Sequence, residues 1–134
     1  MDAYQLIVVI GLPRSGKSHW SQQLTNHVVF DDCVTHFYNG KVIDALLQHC
    51  QVCINDPRFC HFNTFTKVMK QLEMIVNQQH ILLILFENNP QQCLINCIDH
   101  PRPGIVNTIN KLSSVYDINN YQHYNHVILP VYNK

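Results

Sequence analysis

The sequence predicts an α/β domain built on a parallel sheet. Short apolar segments rich in β-branched residues alternate with segments whose apolar residues recur at helical spacing. One of the apolar segments runs directly into a glycine-rich turn, and another is apolar without interruption, as expected for a strand covered on both faces. Alternation of this kind favours right-handed crossovers, with helices on both faces of the sheet. A length of 134 residues suggests that residues 1–134 form a single domain.

The N-terminal half alternates between strands and helices. Strands are predicted at residues 5–10, 28–30 and 50–55. Helices are predicted at residues 17–26 and 41–48. The first helix has Trp20 and Leu24 on one face, and the second has Val42 and Leu46 at helical spacing. The third strand ends before Pro57, which cannot donate to a strand ladder.

The C-terminal half continues the alternation. Strands are predicted at residues 81–86 and 126–131. Helices are predicted at residues 63–78, 89–99 and 107–118. The first of these helices carries a long apolar stripe, which is typical of core packing. Asn89 and Pro90 suit the cap and the first position of the second helix, and the proline-rich residues 100–104 form the turn before the third.

The turn between the first strand and the first helix has the pattern Gly-x4-Gly-Lys-Ser. Its residues are Gly11, Leu12, Pro13, Arg14, Ser15, Gly16, Lys17 and Ser18. A strand, a glycine-rich loop and a helix in this order are the context of a P-loop, or Walker A motif, whose backbone N–H groups surround a phosphate at the positive end of the helix. In that context Lys17 reaches the β- and γ-phosphates and Ser18 places its hydroxyl on Mg²⁺. The pattern predicts that the chain binds a nucleoside triphosphate.

Further polar residues follow the other predicted strands, at the sheet edge where parallel sheets bind ligands. Asp31 or Asp32 can accept a proton from an attacking hydroxyl, or can serve as a turn or cap residue. Asp56 can help to hold magnesium through water. Arg58 can grip a substrate phosphate with its fork of donors, unless it only forms a local salt bridge.

Two more candidates lie in the C-terminal half. Glu87 follows an apolar strand and can orient a water or a substrate hydroxyl, or can cap the next helix together with Asn88 and Asn89. Arg102 stands in the proline-rich turn, where it can close over a transferring phosphoryl group or remain a solvated loop residue. Arg14, inside the glycine-rich loop, faces solvent or helps to hold a second anion.

Composition excludes several classes of function. The formal net charge is zero, so no global field attracts nucleic acid or an anionic membrane. We expect no membrane contact, because no segment approaches the length of a membrane span and no signal peptide is visible. An ATP-type site and six cysteines indicate a cytoplasmic protein with reduced thiols.

A structural zinc site is the less favoured interpretation of the cysteines. The group of Cys50, Cys53 and Cys60 has histidines nearby, but a second Cys-x-x-Cys pair to close a four-ligand site is missing. Small buried thiols explain these positions better.

These residues resemble the P-loop kinase superfamily. The resemblance is greatest to its small polynucleotide-kinase-like and zeta-toxin-like enzymes and weaker to the adenylate-kinase-like enzymes. The resemblance is carried by Gly16-Lys17-Ser18 with Trp20, by Asp31-Asp32, by Asp56-Pro57-Arg58, and by residues 87–102. It implies a five-stranded parallel sheet in the order 2-3-1-4-5, and the cofactors ATP and Mg²⁺. It also implies an ATP-dependent kinase that transfers the γ-phosphoryl group to a nucleotide, a nucleoside or a nucleic-acid 5′ end.

The resemblance also implies roles for individual residues. Lys17 binds the triphosphate, and Ser18 and Asp56 hold magnesium. Asp32 or Asp31 activates the acceptor. The phosphate charge is bound by Arg58 at the acceptor and by Arg102 in a lid.

Two other classes of function remain open. A GTPase or motor-like ATPase is disfavoured, because residues 110–113 (Asn-Lys-Leu-Ser) lack the Asp of an Asn-Lys-x-Asp guanine motif. A non-catalytic nucleotide-binding module that acts through protein partners is supported by the small size and by a total of three arginines, Arg14, Arg58 and Arg102.

Overall fold

A computed structural model describes residues 1–34 and 39–133 of the chain. Its sheet has five parallel strands in the order β2-β3-β1-β4-β5. The strands are β1 (Leu6–Ile10), β2 (Val28–Asp31), β3 (Val52–Asn55), β4 (Ile81–Phe86) and β5 (His126–Leu129). The helices are α1 (Lys17–Ser21), α2 (Lys41–Leu47), α3 (Phe62–Leu72), α4 (Pro90–Asn96) and α5 (Ile105–Val115). The α/β class, the parallel sheet and the implied strand order are confirmed.

The central strand explains why the sequence shows no polar alternation there. Leu6 pairs with Val52 of β3 on one side and with Ile81 of β4 on the other. Every residue of β1 is buried, because the strand has neighbours on both edges and side chains over both faces. Because the strands are all parallel, the carboxyl ends of β1, β2, β3 and β4 meet at one edge of the sheet. The polar residues that follow the predicted strands lie at this edge.

The two faces of the sheet are covered unequally. On one face, Leu6, Val8 and Ile10 belong to a large core that also contains apolar residues of α2, α3, α4 and α5. On the other face, Ile7 and Val9 belong to a smaller cluster, which the region of α1 covers with Trp20 and Leu24. The three-layer arrangement is therefore thick on one side and thin on the side of the glycine-rich loop.

All five helices that the sequence predicts end earlier in the structure than their apolar periodicity indicates, and α1 and α3 end five and six residues earlier. α1 ends at Ser21, because the chain then tightens into i→i+3 turns, with Gln23 N donating to Trp20 O at 3.2 Å. α3 ends at Leu72 for the same reason, with Ile75 N donating to Leu72 O at 3.0 Å. Tightened turns keep apolar side chains on the core face after the α-helix has ended, so periodicity alone overestimated the length of both helices.

No helix within the described ranges is both long enough and apolar enough to cross a lipid bilayer.

Candidate functional site

The loop of residues 11–18 turns sharply between β1 and α1. Ser15 N donates to Leu12 O at 3.1 Å, and the backbone φ is positive at Arg14 (68°) and at Gly16 (110°). A left-handed arginine is strained by roughly 1–2 kcal/mol, so the surrounding contacts must hold it. Because α1 has five residues, its dipole contributes less than the longer helix predicted from the sequence. A phosphate bound here would therefore depend mainly on the N–H groups of the loop and on Lys17.

Both glycines of the motif are required by close approach. A Cβ atom at Gly16 would lie 2.7 Å from Cβ of Tyr132, in addition to the positive φ. A Cβ atom at Gly11 would lie 2.5 Å from Oγ of Ser15. The glycines therefore let the loop pack against its own turn and against the segment that follows β5.

Lys17 lies inside the loop. The residue is 7% exposed, and its Nζ donates to Leu12 O at 2.8 Å, so the ammonium group is held beside the loop backbone. Burial lowers the pKa of Lys17 from its ordinary value. The nearby groups that act in the opposite direction are Cys60, Cys93, Asp56 and Asp32. An anion bound in the loop would favour the charged ammonium in the same way.

Asp31 is connected to α1 by a chain of hydrogen bonds. Asn55, which is 3% exposed at the end of β3, donates from Nδ2 to Asp31 Oδ1 at 2.6 Å and to Ser21 Oγ at 3.4 Å. Ser21 Oγ in turn donates to Ser18 O at 3.2 Å. One carboxylate oxygen of Asp31 is thus fixed relative to the helix that follows the loop, while the residue itself is exposed.

Asp32 is held differently. Its backbone is left-handed, with φ of 51°, and its side chain is exposed at the same sheet edge. Its negative charge raises the pKa of both Lys17 and Arg58, which places it within electrostatic range of each. Asp31 and Asp32 therefore both stand on the side of the loop that faces β3, as their position after β2 predicts.

Asp56 is saturated with donors. Its Oδ1 accepts from Arg58 N (2.9 Å) and Arg58 Nε (2.8 Å), and its Oδ2 accepts from Val34 N (3.1 Å) and Arg58 Nη2 (2.7 Å). A carboxylate has about four lone-pair sites, and all of them are used here. This arrangement argues against the predicted magnesium role of Asp56, even through water, because no acceptor site remains. The local salt bridge that the sequence left as an alternative is present instead.

Arg58 keeps part of its guanidinium free. Its side chain is 49% exposed, and the hydrogen bond to Asp56 raises its pKa, so it stays charged. The Nη1 donors form no hydrogen bond with any residue of the described ranges. Arg58 is therefore available to an anion only from its outer side.

The proline-rich turn is tied to the loop by Arg14 and not by Arg102. Arg14 Nη2 donates to His100 O at 2.8 Å. Arg102 is exposed, and its side chain has no hydrogen-bond partner in the described part of the chain. Arg102 therefore stands in the predicted turn, free of the loop.

The residues after β4 are largely structural. Asn89 accepts from Gln92 N at 3.1 Å and caps α4, with Pro90 at the first position, as predicted. Asn88 donates to Ser113 O at 2.9 Å and joins this turn to α5. Glu87 is exposed, and its backbone N donates to Leu129 O of β5.

Asn96 is a buried residue that joins the loop to the end of the chain. It is 6% exposed, and its Nδ2 donates to Arg14 O at 3.0 Å and to Tyr132 O at 2.7 Å. Gln92 Nε2 donates to Asn96 Oδ1 at 3.0 Å and fixes the amide. Tyr132 N donates to Ser15 O at 2.9 Å, so the C-terminal segment and α4 hold the loop together. These contacts account for the strained backbone of Arg14.

A cavity of about 240 Å³ opens beside the loop. Its lining residues are Arg14, Gly16, Lys17, Ser18, His19, Asn96 and Tyr132. It combines two cations with the loop backbone and with the aromatic side chains of His19 and Tyr132, whose rings lie 4.5 Å apart. This composition suits an anionic ligand that also carries a flat ring.

No cluster of three or more His, Cys, Asp and Glu side chains that could hold a metal ion occurs in residues 1–34 and 39–133. All six cysteines are unpaired, and Cys50 is the only one that is not buried. Magnesium at a P-loop does not need such a cluster, because it is held mainly by phosphate oxygens, water and one hydroxyl. The exposed Ser18 fits that role.

One relative is similar to the chain over almost all of its length. A protein of Acanthamoeba polyphaga mimivirus, described as "Uncharacterized protein R277", is 42% identical over 134 residues, which cover 96% of this chain and 97% of the viral protein. The chain belongs to the family of this mimivirus protein. No family model and no solved structure matches the chain. The description of the mimivirus relative names no activity, so function is inferred from the geometry of the site.

Replacing Asn96 with leucine tests whether this residue supports the loop. The variant keeps the branched shape of the side chain but leaves Arg14 O and Tyr132 O without their donor, so we expect a loss of about 1–3 kcal/mol in the free energy of unfolding. Chemical denaturation measures the loss. The matched control is Asn107→Leu on the exposed side of α5, which should change stability by less than about 0.5 kcal/mol. Equal stability of the two variants would contradict this role.

Sequence reasoning missed Asn55 and Asn96. Asn55 had a signal, because it is the one polar residue of a strand that is otherwise apolar. Asn96 had none, since the partners of its amide lie 82 and 36 positions away in the chain.

Proposed function

We propose that this chain is a small magnesium-dependent phosphotransferase that binds ATP at the loop of residues 11–18 and transfers the γ-phosphoryl group to an acceptor. The observation that carries the proposal is the burial of Lys17 inside this loop, beside an open cavity. The loop turns sharply there, with positive φ at Arg14 and Gly16. Burying an ammonium group costs free energy, and its hydrogen bond to one neutral carbonyl offsets only part of that cost. An anionic ligand beside Lys17 would offset the rest.

In this proposal the loop holds the triphosphate. The loop N–H groups and Lys17 bind the β- and γ-phosphate oxygens, and the cavity beside Tyr132 receives the rest of the nucleotide. Ser18 would hold Mg²⁺, which would neutralise charge on the triphosphate. Asp56 orients Arg58 and does not contact the metal.

Asp31 is the proposed general base. Asn55 fixes its Oδ1, which leaves Oδ2 to accept the proton of the attacking hydroxyl. Asp32 adds negative charge beside Lys17 and Arg58 and is the alternative base. Arg58 and Arg102 supply positive charge for the transferring group. Arg102 reaches this group only if the turn of residues 100–104 moves, and Arg14 links that turn to the loop through His100 O.

A second candidate is a non-catalytic module that binds a nucleotide and acts through a protein partner. The specific observation in its favour is the pairing of Asp56 with Arg58, which occupies one predicted metal ligand and part of one predicted substrate ligand. Arg102, the lid arginine, also stays apart from the loop in the described residues.

An assay with γ-labelled ATP and Mg²⁺ separates the two candidates. The acceptors offered are nucleosides, nucleoside monophosphates, and DNA and RNA with 5′-hydroxyl ends. Label on an acceptor, lost in Lys17→Ala and retained in Lys111→Ala, supports the phosphotransferase. Tight ATP binding that depends on Lys17, without transfer to any acceptor, supports the binding module.

The affinity for ATP should fall at alkaline pH. The protonated Lys17 binds the triphosphate, and burial lowers its pKa from 10.5, so its charge is lost at a lower pH than that of an exposed lysine. Ionisation of the phosphates is complete by about pH 8 and cannot raise the affinity further, and the affinity should decrease as the pH rises through the lowered pKa of Lys17. Titrations in buffers of increasing pH measure this, with Lys17→Arg as the variant that keeps its charge. A wild-type affinity as flat as that of the arginine variant would contradict the role of Lys17.

A further inference from the structure

We infer that the phosphoryl acceptor is a small molecule that carries a free hydroxyl and no phosphate, in contrast to a nucleotide or a nucleic-acid end. The inference rests on the proposed function, and it concerns the side of the loop that faces β2 and β3. The donor side contains Arg14 and Lys17, whereas the acceptor side has the opposite balance of charge.

The ends of β2 and β3 are acidic in the described residues. Asp31 and Asp32 stand at the end of β2, and Asp56 and Arg58 follow β3. Three carboxylates therefore stand there with one guanidinium group. An acceptor phosphate entering here meets more negative than positive charge.

Arg58, the cation that follows β3, is already partly paired. It donates from Nε and Nη2 to Asp56 at 2.8 and 2.7 Å, which leaves only its outer donors for an anion. Within residues 1–34 and 39–133, the hydrogen-bond partner of Asp31 is an amide, and no cation forms a salt bridge with it.

A phosphate-bearing acceptor is disfavoured by this arrangement. Its charge would be repelled by Asp31 and Asp32, which the mechanism requires to lie near the acceptor oxygen. A nucleic-acid end would bring further phosphates, whose binding depends on several lysines and arginines. A neutral hydroxyl compound avoids both problems, because it needs a base and hydrogen-bonding partners, which Asp31 and the neighbouring polar groups supply.

The transfer step is balanced with such an acceptor. The hydroxyl oxygen forms a bond to the γ-phosphorus while the bond from that phosphorus to the β,γ-bridging oxygen breaks. The hydroxyl proton passes to Asp31 Oδ2, and ADP leaves with the bridging oxygen. No oxidant, reductant or further reactant is required.

The test compares three ligands that share adenosine 5′-triphosphate and differ in the group that the γ-phosphate carries. ATP is the reference, adenosine 5′-tetraphosphate places an additional phosphate on the acceptor side, and the γ-methyl ester of ATP places a neutral group there. Dissociation constants are measured by calorimetry at saturating Mg²⁺. We expect the tetraphosphate to bind about tenfold more weakly than ATP and the methyl ester to bind within about threefold of ATP.

Charge removal provides the second arm. In the double variant Asp31→Asn/Asp32→Asn, the ratio of tetraphosphate to ATP affinity should rise at least about fivefold. Asp2→Asn, the same change in the exposed N-terminal segment before β1, should leave the ratio unaltered. Using the ratio removes any general effect of the variants on ATP itself.

Each outcome decides the inference. Tetraphosphate binding as tight as ATP in the wild type, or an unaltered ratio in the double variant, overturns the phosphate-free acceptor while the phosphotransferase proposal stands. Transfer of label to a nucleoside monophosphate or to a 5′-hydroxyl oligonucleotide also overturns it. If ATP itself does not bind, the proposed function and the inference both fail.

Discussion

Replacing Lys17 with alanine is expected to lower ATP affinity and phosphoryl transfer together, with transfer reduced at least about 100-fold. Lys17 is the buried cation of the loop, and its Nζ already lies 2.8 Å from a loop carbonyl, where a phosphate oxygen would compete for it. Under the proposed function, its charge would act on the triphosphate both before and during transfer. ATP titration and the turnover assay measure the two effects.

The same substitution should leave the fold intact. Burial lowers the pKa of Lys17, which means that the folded protein disfavours the charged side chain at this position. Loss of this unfavourable charge offsets the loss of the buried methylene groups and of the hydrogen bond to Leu12 O, so the thermal unfolding midpoint should change little. Lys111→Ala, on the exposed face of α5, controls for the loss of a lysine and should preserve both binding and turnover. Unchanged turnover in Lys17→Ala would refute the assignment of the loop.

Replacing Asp31 with asparagine is expected to reduce kcat by roughly 10²–10⁴-fold, with ATP affinity nearly unchanged. The substitution is isosteric, and the new amide oxygen can still accept from Asn55 Nδ2. The geometry at the end of β2 is therefore kept, whereas the ability to take a proton is lost. Steady-state kinetics with the acceptor found in the transfer assay measures the change.

Asp32→Asn is the matched control for this prediction. Asp32 is adjacent and exposed, and its substitution removes the same charge, but it has no hydrogen bond from Asn55. We expect a smaller loss of kcat than in Asp31→Asn. A larger loss in Asp32→Asn would identify Asp32, and not Asp31, as the general base.

The sheet was predictable from the sequence because each strand consists of a short run of apolar residues, which is visible without knowledge of distant contacts. Residues 81–86 form β4 as predicted, since an unbroken apolar run is stable only between two covering layers. The helix lengths were not predictable to the same degree. Apolar residues continue past Leu72 at helical spacing, because Ile75 and Val76 pack against the core from the turns that follow the α-helix.

The candidate site likewise has a part that was predictable from the sequence and a part that was not. The loop is one continuous stretch of sequence, and the two aspartates after β2 are adjacent to each other. Each of these two patterns could therefore be recognised from the sequence. The state of Asp56 could not, because Val34 N, one of its four donors, is 22 positions away. Asn96 depends on partners from the loop and from the C-terminal segment, which only the folded chain brings together.

Binding of Mg²⁺ and ATP by the loop of residues 11–18 is the property on which the proposed function depends, and a calorimetric titration of the wild-type protein with ATP at saturating Mg²⁺ tests it most directly. We expect saturable binding of about one ATP per chain, abolished in Lys17→Ala and retained in Lys111→Ala. The absence of binding up to about 1 mM ATP, the upper end of ordinary KM values, would contradict ATP binding by this loop. Equal binding by the Lys17→Ala variant would place the nucleotide elsewhere on the protein.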